Sequence, residues 1–472
     1  MSNTTQLAVI GGGPGGYAAA FLAADLGMQV TLIDLEKNPG GVCLYRGCIP
    51  SKALLHIAKL ITEAEEAKKW GVEFGKPKID INKLREFKNG IVNKLTGGLG
   101  QLSKQRKVNY INGKATFINS NTLSVAKADG TTEEVVYEKA ILATGSVPAK
   151  VPGLSIDSQR VMDSTAALEL NDVPKRLLVI GGGYIGLELS TVYAALGSKV
   201  TVVEMMPGLL PGADRDLVAV LERRVKAAME NVFVETKVME LKETPEGIQV
   251  RLEGKNVAEP VQAFDKVLIS VGRKPVTTGF GLENTKVKVS ERGFVIEDKT
   301  LKTDDPNIYA IGDIVGNPML AHKASAEGKV AVEAILGHKV AFEPNAIPAV
   351  VFTDPELAWT GLTDTEAREK GIKVEVAKFP WGASGRATTL DRNDGMTKLI
   401  IEPETERILG VGIVGVGAGD MIAEGTLAIE MGAVVKDLEL TIHPHPTLSE
   451  TMMFAAELFY GHATDMYRPK RK

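Results

Sequence analysis

Short apolar runs that stop at glycine set the rhythm of this chain. Leu7-Ala8-Val9-Ile10 ends at Gly11, Ala140-Ile141-Leu142-Ala143 at Thr144-Gly145, and Leu177-Leu178-Val179-Ile180 at Gly181. Val267-Leu268-Ile269-Ser270-Val271 ends at Gly272, and Ile308-Tyr309-Ala310-Ile311 at Gly312-Asp313. Such runs predict strands buried on both faces, as in a parallel sheet covered by helices. Residues 51–70, 82–106 and 324–336 carry the apolar spacing of helices. The segment 107–137 reads as short strands with turns at Asn112-Gly113 and Asp129-Gly130. Beyond about residue 346 the pattern changes to mixed strands and helices without a glycine fingerprint, which predicts a separate unit.

One part of the pattern occurs twice. Gly11, Gly13 and Gly16 follow the first strand in GxGxxG spacing, and Gly181, Gly183 and Gly186 follow its counterpart. The correspondence continues through Leu26-Gly27 with Leu196-Gly197, Val30-Thr31 with Val200-Thr201, and Asp34 with Glu204. Each copy is strand, glycine turn, helix, strand, acid. In that context the glycines bring a pyrophosphate to the helix N-terminus, and the acid accepts hydrogen bonds from ribose hydroxyls. The fold class expected is therefore α/β, with two Rossmann-like dinucleotide-binding units and an α+β C-terminal unit. Glu204 repels a 2′-phosphate, and Met205-Met206 beside it offer no arginine, so the second unit is expected to prefer NAD over NADP. Arg215 lies too far along the chain for sequence alone to place it.

The chain has 472 residues, a formal net charge of −4 and 5% aromatic residues, which gives neither a basic field nor a stacking surface for nucleic acid. The apolar stretch 411–418 is too short and glycine-rich to span a membrane. The first strand opens almost at once and leaves no room for a leader, so the expected location is the cytoplasm.

The only two cysteines stand together in Gly40-Gly41-Val42-Cys43-Leu44-Tyr45-Arg46-Gly47-Cys48-Ile49-Pro50-Ser51-Lys52. Ile49-Pro50-Ser51-Lys52, followed by Ala53-Leu54-Leu55, reads as a helix start with proline in the first turn, which puts Cys48 at or just before the helix N-terminus, where the dipole favours a thiolate. A redox-active disulfide is preferred to two structural thiols or half a zinc site, since zinc needs about four ligands and only His56 is near. Flavin can take electrons from a thiolate and pass hydride to nicotinamide, which places flavin on the first unit and NAD on the second. A second constellation is Thr441-Ile442-His443-Pro444-His445-Pro446-Thr447-Leu448-Ser449-Glu450. A histidine oriented by a carboxylate can shuttle a proton near neutral pH. The stretch reads equally as a helix capped after a proline turn, and either His443 or His445 can carry the proton or bind a metal. Asp313 either binds flavin ribityl hydroxyls or caps a helix.

GGVCLYRGCIPSK at 40–52, ATGS at 143–146, GGGYIGLE at 181–188, VGRKP at 271–275, YAIGDIVGNPMLAHKASAEG at 309–328 and HPHPTLSE at 443–450 together carry a resemblance. The chain resembles, over essentially its whole length, the dihydrolipoamide dehydrogenases of the pyridine nucleotide-disulfide oxidoreductase family. The resemblance implies an FAD-binding domain over 1–150, an NAD-binding domain over 151–276, a segment 277–345 returning to the FAD domain, and a C-terminal dimerisation domain over 346–472. It implies tightly bound FAD and exchangeable NAD. It makes Cys43 the thiol that meets the substrate, Cys48 the thiol beside the flavin, and His445 the base held by Glu450. Lys52 and Glu188 are implied as a charge pair near flavin and nicotinamide. Asp34 is assigned to the flavin ribose, Asp313 to its ribityl chain and Glu204 to the NAD ribose; Gly113, Thr144, Gly145, Gly312 and Ala321 complete the flavin set, and Gly272 the NAD set. The implied assembly is a homodimer in which His445 serves the other subunit's cysteines. Its implied partners are lipoyl domains and the acyltransferase core of 2-oxo acid dehydrogenase complexes or the glycine cleavage system. Glu204 argues against the NADPH preference of glutathione and mercuric reductases. The chain departs from the commoner pattern at Asp34, where glutamate is usual, at Tyr45-Arg46, where asparagine and valine are frequent, and at Pro444.

Overall fold

The computed structural model describes residues 3–154 and 156–467, so the last residues of the expected C-terminal unit, 468–472, lie outside the described residues. Five parallel strands build the first sheet in the spatial order Asn109–Asn119, Val30–Asp34, Asn3–Ile10, Thr132–Leu142, Ile308–Ala310. Leu7, Ala8 and Val9 at its centre are fully buried. The antiparallel strand Thr122–Lys127 bridges the extended ends of Asn109–Asn119 and Thr132–Leu142.

The second sheet follows the same plan. Asn231–Phe233, Lys199–Val203, Arg176–Ile180, Lys266–Ile269 and Val161–Met162 run parallel in that order. An antiparallel meander, Thr236–Thr244, Gly247–Gly254 and Val261–Phe264, accompanies them. The repeat in sequence is thus a repeat of a whole unit. Helices Pro14–Asp25 and Tyr184–Ala195 begin straight after the glycine turns. A Cβ on Gly16 or Gly186 would run into the carbonyl oxygen of Gly11 or Gly181, so each third glycine lets helix and strand pack closely.

The turn expected at Asn112-Gly113 is absent, because the strand Asn109–Asn119 passes straight through both residues. Gly113 serves close approach instead, since a Cβ there would lie 2.7 Å from the Ala126 carbonyl oxygen on the adjoining strand. The Asn112 side chain reaches sideways to the Leu35 and Glu36 carbonyls at 2.8 and 2.9 Å. A tertiary partner has replaced the local turn for which Asn-Gly is otherwise the signal.

The chain leaves the first unit through Ser146–Pro148 and returns through Arg273–Pro275, and these segments pair as an antiparallel ribbon. Beyond them, five antiparallel strands form the C-terminal sheet in the order Ala349–Val351, Glu356–Gly361, Ile408–Gly415, Met396–Ile401, Glu375–Pro380. Helices Ala418–Met431 and Glu450–Tyr460 pack on it. Lys398, fully buried on this sheet, reaches into the second unit to Asp214 at 2.8 Å and Asp216 at 3.1 Å, and also bonds Asp364 at 3.3 Å. Burial alone would raise the Asp214 carboxyl, but the Lys398 ammonium and the amides of Thr365 and Asp364 outweigh it and hold it below the usual 3.8.

Removing one member of such a buried charge cluster costs about 3–5 kcal/mol. Lys398→Met is expected to lower stability by about that amount in urea denaturation at neutral pH. Because Asp214 and Asp216 are held below their ordinary value of 3.8, their contribution is complete above it and is lost as pH falls through their folded values. The wild-type advantage over Lys398→Met should therefore shrink in acid. An advantage unchanged in strong acid would rule this linkage out.

Candidate active site

A cavity of about 340 Å³ opens beyond the carboxyl ends of the first sheet. Gly11, with φ +105°, turns the chain there, and a Cβ on it would clash with the Ala143 carbonyl. Gly13 caps the helix Pro14–Asp25 with no side chain over its N-terminus, so the helix amides face the cavity freely. Asp34, at the tip of Val30–Asp34, accepts one hydrogen bond from the Gly12 amide and one from the Glu36 amide, the latter at 2.8 Å. Glu204 repeats this in the second unit, accepting from Gly182 at 2.6 Å and Met206 at 2.7 Å. Each acid grips its glycine turn and keeps further lone pairs for a ligand.

Gly113, Thr144, Gly145, Gly312, Asp313 and Ala321 also line this cavity, whereas Gly16 stands off it in the helix packing. Asp313 accepts a hydrogen bond from Ser146, and Ser146 is itself bound by Arg273 at 2.7 Å from the other strand of the ribbon. Glu327 accepts the Gly312 amide at 2.7 Å and so fixes the turn that presents Asp313. Sequence reasoning missed Arg273 and Tyr184 as cavity residues. Both stand inside glycine motifs, and that position was the available signal.

The thiols sit on two abutting helices, Gly41–Arg46 and Cys48–Glu66, with Gly47 between them. Cys48 is the first residue of the longer helix, and both sulfurs are free thiols bordering the cavity. The Cys43 thiol donates to the Cys48 sulfur, and Lys52 adds positive charge; together they outweigh burial and Glu188 and lower Cys48 to about 7. The same shared hydrogen bond, with burial, pushes Cys43 up. Of the two thiols, Cys48, at the helix start and beside Lys52, is the one whose ionised form the surroundings favour.

Lys52 pairs with Glu188 at 2.8 Å. Glu188 is buried in the helix Tyr184–Ala195 and also accepts from Ser51 at 3.0 Å and from the Phe352 amide at 3.1 Å. The Lys52 ammonium lies 4.5 Å from the centre of the Phe352 ring.

Gly181, Gly183, Gly186, Glu204 and Gly272 lie off this cavity, around the second glycine turn. Space is open at Gly183 and Gly272, where a Cβ would meet nothing within 4 Å. The helix Tyr184–Ala195 starts at that turn and presents Tyr184, Ile185 and Glu188 to the first cavity, so it stands between the two cradles. Arg215 is committed elsewhere: its guanidinium bonds the Leu209 carbonyl at 2.7 Å and the carbonyls of Leu210 and Ala213.

His445 and Glu450 meet at 2.9 Å between Nδ1 and Oε1, and Glu450 also accepts the Thr447 amide at 2.7 Å. The structure does not bring this pair to the cysteines of the same chain, and the His445 side chain is 78% exposed. His443 is half-buried, with Nδ1 2.8 Å from the Thr441 carbonyl and Nε2 2.7 Å from Glu424. Its Glu424 partner raises its pKa. Both ring nitrogens are taken, which leaves His443 neither a free base nor a metal ligand.

The sequence pattern of the pyridine nucleotide-disulphide oxidoreductases matches residues 5–328, and that of their dimerisation domain residues 347–456. The chain is 49% identical to the dihydrolipoyl dehydrogenase of Vibrio cholerae, covering 99% of this chain and 98% of that one. It is 45% identical to that of Geobacillus stearothermophilus, covering 97% and 96%. The crystal structure of LpdA from Mycobacterium tuberculosis superposes with a TM-score of 0.89 at 27% identity over 96% of this chain and 99% of that one. The HOCl-induced flavoprotein disulfide reductase RclA from Escherichia coli, in its Cu(II) complex, gives 0.85 at 29% identity over 97% and 99%. Twin dinucleotide-type units with a thiol pair at the first define the class, and this chain belongs to the pyridine nucleotide-disulphide oxidoreductase family. Within that family its full-length kinship is with the dihydrolipoyl dehydrogenases, and it is an oxidoreductase.

The rate of Cys48 alkylation in the reduced protein should rise with a midpoint near 7. Lys52→Met removes the cation and should move that midpoint up by about one unit or more. An unmoved midpoint would show that Lys52 does not tune the thiol.

Proposed function

We propose that this protein oxidises protein-bound dihydrolipoamide to lipoamide and reduces NAD⁺ to NADH, through tightly bound FAD and a Cys43–Cys48 disulfide. The observation that carries the reading is geometric: Cys43 and Cys48 both line a dinucleotide cradle, and Cys48 opens the helix Cys48–Glu66 there. The cradle fits FAD: the helix N-terminus is uncapped, Asp34 keeps free lone pairs, and a Cβ on Gly145 would meet nothing within 4 Å. Gly11, Gly13, Asp34, Lys52, Gly113, Thr144, Gly145, Gly312, Asp313 and Ala321 would hold it, one FAD per subunit. When bound, FAD supplies a two-electron relay from the thiol pair to nicotinamide. Gly181, Gly183, Gly186, Glu204 and Gly272 would hold NAD. Glu204 disfavours a 2′-phosphate, and the committed guanidinium of Arg215 is not available to receive one.

The thiol chemistry assigns each residue a task. His445, oriented by Glu450, takes the proton of one substrate thiol. That thiolate attacks Cys43 Sγ, the Cys43–Cys48 bond breaks, and Cys48 leaves as the thiolate its surroundings favour. The second substrate thiol gives its proton to the departing Cys43 sulfur as it closes the lipoamide disulfide, so both electrons now lie on the cysteine pair. Lys52 holds the Cys48 charge in place, and Glu188 anchors Lys52.

The proposed assembly is a homodimer in which His445 serves the other subunit's cysteines. Its support is the exposed position of His445 together with the apolar side chains Ile442, Leu440, Leu427 and Met431 of the same C-terminal unit, exposed at 95, 69, 63 and 76%. The working division is 1–150 for FAD, 151–276 for NAD, 277–345 for the returning segment and 346–472 for dimerisation. Lipoyl domains and the acyltransferase core of 2-oxo acid dehydrogenase complexes, or the glycine cleavage system, are the proposed partners, in the cytoplasm.

Anaerobic dihydrolipoamide should bleach the visible absorbance of the purified holoprotein, and NAD⁺ but not NADP⁺ should restore it. Cys48→Ser should fail to bleach. If the wild type itself stays unbleached, dihydrolipoamide is not the donor. His445→Gln should lower kcat by about 10²–10⁴-fold, the range of general acid–base catalysis; a near-normal kcat would remove His445 as the base.

A further inference from the structure

The geometry points to a clasp, built on the helix that carries Cys43, which retains the flavin dinucleotide: Arg46 and Tyr45 close the loop 35–40 against the cradle wall. This rests on reading the cavity as an FAD site. The loop follows Asp34 directly and is pinned on one side by the sheet. Asn112 Nδ2 bonds the Leu35 and Glu36 carbonyls, and the Tyr110 hydroxyl donates to the Glu36 carbonyl at 2.7 Å. On its other side lies the six-residue helix Gly41–Arg46. Its Tyr45 hydroxyl donates to the Asn38 carbonyl at 3.0 Å, and its Arg46 guanidinium pairs with the Glu36 carboxylate. Asn38 itself rests in a slot of the helix Ile81–Gln105, where a Cβ on Gly100 would strike its amide oxygen.

Charge explains why a cation belongs here. Asp34 and Glu36 both line the cavity, so two carboxylates face a ligand that brings a pyrophosphate of its own. Arg46, also on the lining, neutralises Glu36 and favours the ionised Asp34 against the burial that raises its pKa. Without Arg46, Glu36 would repel the dinucleotide. Cys43 lies three residues before Arg46 on the same helix, and the clasp ties the redox helix to the cofactor cradle.

The test is the rate of FAD release from holoprotein, read by the rise of free-flavin fluorescence after dilution, for wild type, Arg46→Val, Glu36→Gln and the double variant. Arg46→Val is expected to release FAD about five-fold faster or more, as loss of a half-exposed ion pair and an unmasked like charge requires. Glu36→Gln should change release less, because it removes the repelling carboxylate along with the pair. The double variant should return to the Glu36→Gln rate, a coupling that general loosening of the fold would not produce. Arg46→Lys, which keeps the charge, should retain FAD better than Arg46→Val and guards against a folding defect in the latter. Release at the wild-type rate from Arg46→Val overturns the clasp, as does a double variant as fast as Arg46→Val alone. A wild-type protein that holds no FAD would remove the cofactor reading and the clasp with it.

Discussion

A single buried carboxylate holds the active region together. Glu188 belongs to the second dinucleotide-type unit, its cation Lys52 to the redox helix of the first, and its amide donor Phe352 to the C-terminal unit. A charge with its carboxylate almost entirely excluded from solvent persists only when every lone pair has a donor, and Ser51, Lys52 and the Phe352 amide meet that requirement. Three parts of the fold are thereby fixed in register at the one place where a thiol must meet a cofactor. Lys52 has a double duty as a result: it neutralises Glu188 and it lowers Cys48.

The rest of the architecture serves the same end. Two copies of one unit set two glycine turns on either side of the helix Tyr184–Ala195, and the ribbon of Ser146–Pro148 with Arg273–Pro275 keeps the copies at fixed distance. Arg273 acts through that ribbon on Ser146 and hence on Asp313. The exposed His445 stands off the cavity wall that carries the cysteines of its own chain.

Much of the fold was legible in advance because the signals are local. Gly11 and Gly181 take positive φ values of +105° and +110°, and only glycine adopts these readily. Fully buried parallel strands need unbroken apolar runs, and Leu177-Leu178-Val179-Ile180 is one. Asn112-Gly113 misled because the same dipeptide that makes a turn also suits a strand that must pass close to its neighbour while its amide bonds an adjacent loop. Gly16 carries a binding signature yet performs a packing task, and spacing alone does not separate the two.

Sequence by itself determined the twin units, the thiol pair at a helix start and the acids that end the second strands, because backbone conformation and short-period patterning are properties of neighbouring residues. Tertiary structure alone decided which groups act together. Lys52 meets Glu188 across 136 positions and Ser146 meets Asp313 across 167, and no local pattern encodes those contacts. It likewise committed Arg215 to backbone carbonyls, occupied both nitrogens of His443, and set Arg46 against Glu36 on the cavity wall. The physical reason is that charge and hydrogen-bond satisfaction are counted over everything packed around a buried group, and that company is assembled only when the chain folds.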